Sequence, residues 1–527
     1  MHCRIKMGKR KRDQGEKDAE LPNGKASRPI SEAASSHHSS TLPSDAVVIQ
    51  IVTGSYERAL HGIVARVPVD ALKTSDSTTQ PATFSDSFLF NAHTSSIRCL
   101  ALSPPSEAQK VFLATGSTDE RVNLYSLSTV PPSAPHASKS DGPDATEHSA
   151  LSSLSHPTAT NRANKEIGVL NHHSATVTCL SFPTRAKLLS SAADNSIAVL
   201  RTRDWEVLSS LRAPIPKPAG RPSGDTATPG EVPAGINDVA VHPSLKLMVT
   251  VGRGEKCMRL WNLVTGKKAG VLQFDKSMLA QVGEGRHSSG EGRRAVWDAD
   301  GEEFVIAFER GACVFGIDST PKAVVRPQPP TKLHQVQYLP AGEDALLVVS
   351  TEDGRLLFYN PKHATADTGE QTNGDAKVKK EQAIPRAPLV GQLGGRDQAV
   401  GTRIKDFVVL PVRNAGGAEG SDDSDLAPSH LTVTACSDGA VQVWALDFAL
   451  AKTKADDADV PHASKAREAP QLGALLGTYQ TGNRITCMAA FVMTGKPDAD
   501  VDAATGGLET VATPSSSESE EGSSDSE

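Results

Sequence analysis

An acidic residue precedes a bulky apolar residue by six positions at seven places in this chain. The pairs are Glu57/Ile63, Asp119/Tyr125, Asp194/Leu200, Glu255/Trp261, Glu309/Phe315, Asp353/Tyr359 and Asp438/Trp444. Between the partners run a turn and then alternating apolar positions, as in Asp119-Glu-Arg-Val-Asn-Leu-Tyr125 and Asp438-Gly-Ala-Val-Gln-Val-Trp444. Asp, Asn and Gly suit a tight turn, and a period of two sends every second side chain into a core. A repeated supersecondary unit fixes the architecture, because each copy buries its apolar face only against a neighbour. Seven copies predict an all-β chain folded as a seven-bladed β-propeller.

Around each pair the strand-like segments fall in fours, as in 177–182, 188–191, 197–200 and 207–211. One segment is left over at 484–492, and the first unit, opening at Val47, lacks an inner strand. Pairing 484–492 with the first blade closes the ring and leaves only short outer edges. The propeller is expected over 46–492, between a disordered basic, Ser-rich arm at 1–45 and a disordered acidic, Ser-rich tail at 493–527. Long insertions occupy 127–164, 212–233, 275–293, 361–386, 412–429 and 447–471, and most are Ser-, Pro-, Ala- or charge-rich. They are expected to be mobile. All but 212–233 and 275–293 fall on one face of the ring. The other face, made by the hairpin turns after each second strand and by the links between blades, is the expected docking surface.

The net charge of −7 points to no partner by itself, but its distribution is uneven. Residues 1–30 carry nine Lys or Arg against four acids, whereas 497–527 carry nine acids and no base. Seven cysteines show no Cys-x-x-Cys spacing, and Cys99, Cys179 and Cys487 stand at equivalent places in the repeat. Such places are packing places, so free buried thiols and a reducing compartment are expected. No stretch approaches the roughly 18–20 apolar residues of a membrane span. The basic start lacks an apolar signal core, and a soluble, monomeric propeller without membrane contact is expected.

No phosphate-binding GxxxxGK[ST] loop, HExxH pair or nucleophile elbow occurs, which argues against an enzyme. Gly283-Glu-Gly-Arg-His-Ser-Ser-Gly-Glu-Gly-Arg-Arg294 is Gly-rich and basic, but it lacks a strand–loop–helix setting and reads as a flexible link. The pairs His37-His38 and His172-His173 have no further ligands at metal spacing, so neither a metal nor a cofactor is expected. The seven turn acids, Glu57, Asp119, Asp194, Glu255, Glu309, Asp353 and Asp438, read as structural parts of the blades. Residues beside them differ from blade to blade. Tyr56, Arg58, Glu120, Arg121, Arg253 and Lys256 are therefore the candidate partner contacts, since aromatic and Arg side chains are common interface anchors. Lys9, Arg10, Lys11 and Arg12 form an exposed basic cluster suited to an import receptor or to phosphate-rich RNA. The tail Ser515-Ser-Ser-Glu-Ser-Glu-Glu-Gly-Ser-Ser-Asp-Ser-Glu527 suits acid-directed kinases, whose phosphates would deepen its charge.

The units resemble WD repeats, which place His before the first strand, Asp in the second hairpin turn and Trp at the end of the third strand. His93 with Asp119 and His173 with Asp194 keep the His–Asp part; Trp261 and Trp444 keep the Trp. The resemblance implies a buried His–Asp network that joins two turns. A narrower likeness is carried by Ile51-Val-Thr-Gly-Ser-Tyr-Glu57, Ala92-His-Thr-Ser-Ser-Ile-Arg-Cys-Leu100 and Ala114-Thr-Gly-Ser-Thr-Asp-Glu120. Arg203-Asp-Trp-Glu206, Ile236-Asn-Asp-Val-Ala-Val-His-Pro243 and Arg259-Leu-Trp-Asn-Leu-Val-Thr-Gly-Lys267 extend it. Together these resemble the p21-activated-kinase-interacting WD-repeat proteins, whose fungal members are assembly factors of the large ribosomal subunit. The likeness spans 47–491 and is densest in the first four blades.

That resemblance implies a non-enzymatic scaffold in large-subunit maturation and rRNA processing, in the nucleus and nucleolus. Its expected partners are ribosome-assembly factors or ribosomal proteins, close to pre-ribosomal RNA. The same resemblance implies an alternative, a negative regulator that binds a p21-activated kinase. A third reading, a cullin ubiquitin-ligase substrate receptor, calls for Trp-Asp-x-Arg at strand ends. The chain has Trp261-Asn-Leu-Val264 and Trp444-Ala-Leu-Asp447 there instead.

Overall fold

The computed structural model describes residues 46–72, 81–132, 161, 163–215, 234–285, 288–339, 346–365, 383–395, 398, 400–412, 430–446 and 469–495. Their strands form seven four-stranded antiparallel sheets, arranged as the blades of one propeller. The inner strands are, in ring order, Ile485–Val492, Ile97–Leu102, Val177–Thr184, Ile236–Val241, Arg294–Trp297, Leu333–Tyr338 and Ile404–Pro411. Each neighbours the next, and the last neighbours the first, so the ring is closed. Ile485–Val492 pairs antiparallel with Ala46–Ser55, with Ala490 opposite Ile51. The two ends of the propeller thereby share one sheet.

Each seam between adjacent blades holds one buried apolar cluster. The seven apolar partners of the turn acids are distributed one to a seam: Ile63, Tyr125, Leu200, Trp261, Phe315, Tyr359 and Trp444. All seven are buried. The repeat is thus a packing device, in which each blade sends one large side chain against its neighbour. Burying such a side chain contributes roughly 1.5–3 kcal/mol relative to leaving it exposed.

Two expectations about order are corrected. Of insertion 275–293, the described residues 275–285 and 288–293 are built into the fold rather than mobile. Asp275 caps a short helix, Lys276–Val282, and Gly283 ends it at φ 97°. Met278, Leu279 and Val282 pack beside Phe274 and Phe308 in the seam between the fourth and fifth blades. Gly292 lies so close to Val251 that a Cβ there would stand 2.7 Å from its Cγ1. The Gly-rich composition that suggested flexibility instead permits this close approach. The ordered chain also continues past 492, where Met493 is buried and its amide donates to the Val48 carbonyl at 2.8 Å. The arm 1–45, the tail from 496 and most of the other insertions lie outside the described residues.

Candidate docking face

The hairpin turns after the second strand of each blade and the inter-blade links together form one face, and all seven turn acids lie on it. Each acid is tied to backbone or to a cation, but in different ways. Asp119 accepts from the amides of Thr94 (3.0 Å) and Arg121 (3.1 Å) and from His93 Nδ1 at 3.1 Å. The other ring nitrogen of His93 meets the Thr115 hydroxyl at 2.7 Å. Burial pushes His93 down and outweighs the raising effect of Asp119, so the ring is held neutral more firmly than a free histidine. For Asp119 itself, burial pulls upward, but the Thr94 amide and His93 win and the carboxyl is lowered.

The third blade alters this network. Ser196 stands between the partners, with its hydroxyl 2.8 Å from His173 Nδ1 and 2.6 Å from Asp194, while His173 and Asp194 are 3.6 Å apart. His172 and His173 both reach the Ser190 hydroxyl, at 2.7 and 2.8 Å. Burial, with His173 beside it, pushes His172 down to about 4.

In three of the five blades without the histidine, arginine or lysine replaces it. Glu255 makes a two-pronged pair with Arg259, and both side chains are about nine-tenths buried. Asp353 pairs with Arg355, and Glu309 joins Arg293 at 3.1 Å to Lys332 at 2.9 Å. Glu57 accepts from the Arg484 amide at 3.0 Å, and Asp438 caps the Ala440 amide at 3.1 Å. The His-based pattern gave no sign of these cationic partners. Their signal in the sequence is an arginine at a strand position whose neighbours alternate into a core.

The six candidate contact residues are all exposed on this face. Tyr56 is 58% exposed, with the Arg484 guanidinium 5.6 Å above its ring. Arg58 and Glu120 adopt left-handed backbone at φ 72° and 69°, where the sixth and seventh blades use Gly354 and Gly439. A non-glycine residue in that conformation carries strain of order 1 kcal/mol; the third blade has Asn195 there, at φ 61°. The import cluster Lys9, Arg10, Lys11 and Arg12 lies outside the described residues.

Sequence reasoning missed a second layer, nearer the axis. At the positions equivalent to Cys99, Cys179 and Cys487, the fourth and seventh blades carry Asp238 and Asp406. Asp238 accepts from the Ala295 amide and Asp406 from the Met488 amide, each at 2.9 Å, so each carboxylate stitches its blade to the next. Arg294 stands 3.8 Å from Asp238. Burial, the largest influence on each, raises Asp406 and pushes the Cys99 thiol up to about 12, which leaves that thiol unreactive. Among the described residues no group of three His, Cys, Asp or Glu is placed to hold a metal ion, and no helix is long and apolar enough to cross a membrane.

Seven four-stranded blades joined by such turns define a WD-repeat β-propeller, and the family described as "WD domain, G-beta repeat" matches residues 85–126 and 164–199. A Xenopus laevis relative, "p21-activated protein kinase-interacting protein 1-like", is 23% identical over 85% of this chain and 83% of its own length. "Protein MAK11" of Saccharomyces cerevisiae is 26% identical over 75% of this chain and 77% of its own length. "Shk1 kinase-binding protein 15" of Schizosaccharomyces pombe is 23% identical over 60% and 70%. The chain is thus a WD-repeat propeller similar along most of its length to proteins named for binding p21-activated kinases and to "Protein MAK11".

Proposed function

We propose that this protein is a non-enzymatic scaffold in assembly of the large ribosomal subunit, which presents the hairpin-turn face to protein partners. The observation that carries the reading is its collinear similarity to "Protein MAK11" over three-quarters of the chain, within a family whose resemblance implies subunit assembly for its fungal members. The geometry fits display: the acids are committed to holding turns, while Tyr56, Arg58, Glu120, Arg121, Arg253 and Lys256 are exposed beside them. A rigid ring that fixes several short loops lets more than one partner dock, with little ordering cost on binding. The basic cluster Lys9–Arg12 supports a nuclear and nucleolar location.

A second reading, binding of a p21-activated kinase, is favoured by the names of the Xenopus and Schizosaccharomyces relatives. Affinity purification of the tagged protein at moderate salt separates the two. Recovery of large-subunit precursor RNA with assembly factors supports the scaffold reading. Recovery of a kinase without ribosomal material replaces it with the signalling one.

A further inference from the structure

The inner strands share a feature that no blade signature records. In six blades the ladder between first and second strands shifts register near the top of the inner strand. The residues left out are Thr486, Arg98, Thr178, Asn237, the pair His334-Gln335, and Lys405. A bulge re-aims the side chain it carries. Each of these residues stands at the start of an inner strand, beside the link from the preceding blade, so together they lie at the hairpin-turn end of the ring's central channel, its mouth. They are polar in all six blades, but cations gather on one arc, where Arg98, Arg403 and Arg484 act on Lys405, and Arg293 acts with Arg403 and Lys405 on His334.

The acids on this arc are already engaged. Glu309 holds Arg293 and Lys332, and Glu352 holds Arg403 at 3.3 Å, with the ring of His334 3.4 Å away. Glu57 accepts the Arg484 amide and leaves its guanidinium over Tyr56. Among the described residues no carboxylate lies within ion-pair distance of Arg98, Lys405 or Arg484. Lys405 is partly buried among them. Burial first, then Arg403, with Arg484 and Arg98 adding to it against Glu352, hold its ammonium below the ordinary lysine range. Like charges crowded in a half-desolvated mouth oppose folding, and an incoming anion would relieve them.

We propose that this mouth is the docking site for an acidic peptide segment of a protein partner, whose carboxylates are received by Arg98, Lys405 and Arg484. The proposal rests on the display reading above for its choice of face, and adds the chemistry of the partner. A peptide fits better than RNA for two reasons. Binding a single nucleic-acid strand uses successive aromatic platforms, whereas among the described residues the exposed aromatic at this mouth is Tyr56, and Arg484 already covers it. Glu309 and Glu352 also interrupt the arc, which disfavours a continuous phosphate backbone but tolerates discrete carboxylates.

The test uses the full chain and a fluorescein-labelled glutamate-rich peptide, read by anisotropy, beside an oligouridylate of matched charge. Binding should weaken with salt and fall at least about tenfold in the Arg98→Glu, Lys405→Glu double variant. Lys187→Glu, on the opposite face, should leave it unchanged. Should the charge reversals fail to melt cooperatively, Arg98→Gln with Lys405→Gln serves instead, with a loss of about threefold or more expected. No peptide binding, binding unaffected in folded variants, or tighter binding of oligouridylate than of peptide would each overturn the proposal. If the folded double variant loses the peptide yet still recovers precursor ribosomes, the scaffold reading stands while the mouth is not the site through which it acts there.

Discussion

The Tyr479 hydroxyl donates to Asp86 Oδ1 at 2.6 Å, joining residues 393 apart in the chain. Tyr479 lies on the outer strand of the last blade and Asp86 on the outer strand of the first. His61 meets the same carboxylate oxygen at 2.6 Å. At the inner end of this seam, the Met488 amide donates to Asp406. The seam that closes the ring is thus fastened at both ends by carboxylates, over an apolar cluster that includes Ile51, Ile63, Val433 and Val443.

Removing the phenol should loosen this seam. Tyr479→Phe keeps the ring packing and loses a hydrogen bond to a charged group, for an expected cost of about 1.5–3 kcal/mol. Denaturant unfolding measures it. A cost equal to that of a typical surface substitution would show that the outer clasp is not engaged in solution.

The buried pair in the fourth blade has a different signature. Glu255→Gln leaves the Arg259 guanidinium buried without its charge partner, and should cost about 3–5 kcal/mol. Glu255→Gln combined with Arg259→Met removes both charges and should recover most of that loss. Additive losses in this double-variant cycle would rule out direct coupling.

Stability should fall on mild acidification. His93, His172, His173 and His334 all sit below their ordinary value of 6.5, with burial the largest cause, and His172 and His334 are held at about 4. Below pH 6.5 the unfolded chain takes up protons that the folded chain refuses. Folding then loses at most about 1.4 kcal/mol per histidine per pH unit, until each folded value is reached. Asp119 and Asp194, both lowered, add a loss as pH drops further through their folded values. Asp406 and Asp298, raised by burial, act in the opposite sense: they soften the slope as pH falls through their folded values, until their unfolded forms titrate in turn. The melting temperature should therefore decline from pH 7 to pH 5. A flat profile over that window would contradict the buried neutral histidines.

Import depends on the arm, in the scaffold reading. Replacing Lys9, Arg10, Lys11 and Arg12 with Ala should move a tagged protein towards the cytoplasm in fluorescence images. An unchanged nuclear signal would assign import to another segment or to a partner.

The blades were legible because each has to solve the same packing problem with local means. Asp119 and Tyr125 sit six residues apart because one turn and one short strand separate a cap from a seam. The His93–Asp119 bond was likewise visible in a repeat that keeps both residues. Arg259 and Arg355 were not, because a strand arginine that folds back onto the turn acid looks the same in sequence as one facing solvent. The helix Lys276–Val282 was hidden by its shortness and by the glycines after it, which resemble a linker until Gly292 is seen against Val251 and Ile306.

The sequence alone determined the number of blades, the turn acids and the apolar residue each blade contributes to a seam, since all of these recur at fixed short spacing. Tertiary structure alone decided that Asp86 meets Tyr479, that Asp238 and Asp406 stitch neighbouring blades, and that Arg98, Lys405 and Arg484 share one arc of the channel mouth. Those relationships join residues of different blades around a closed ring. Their distance along the chain carries no trace of their distance in space.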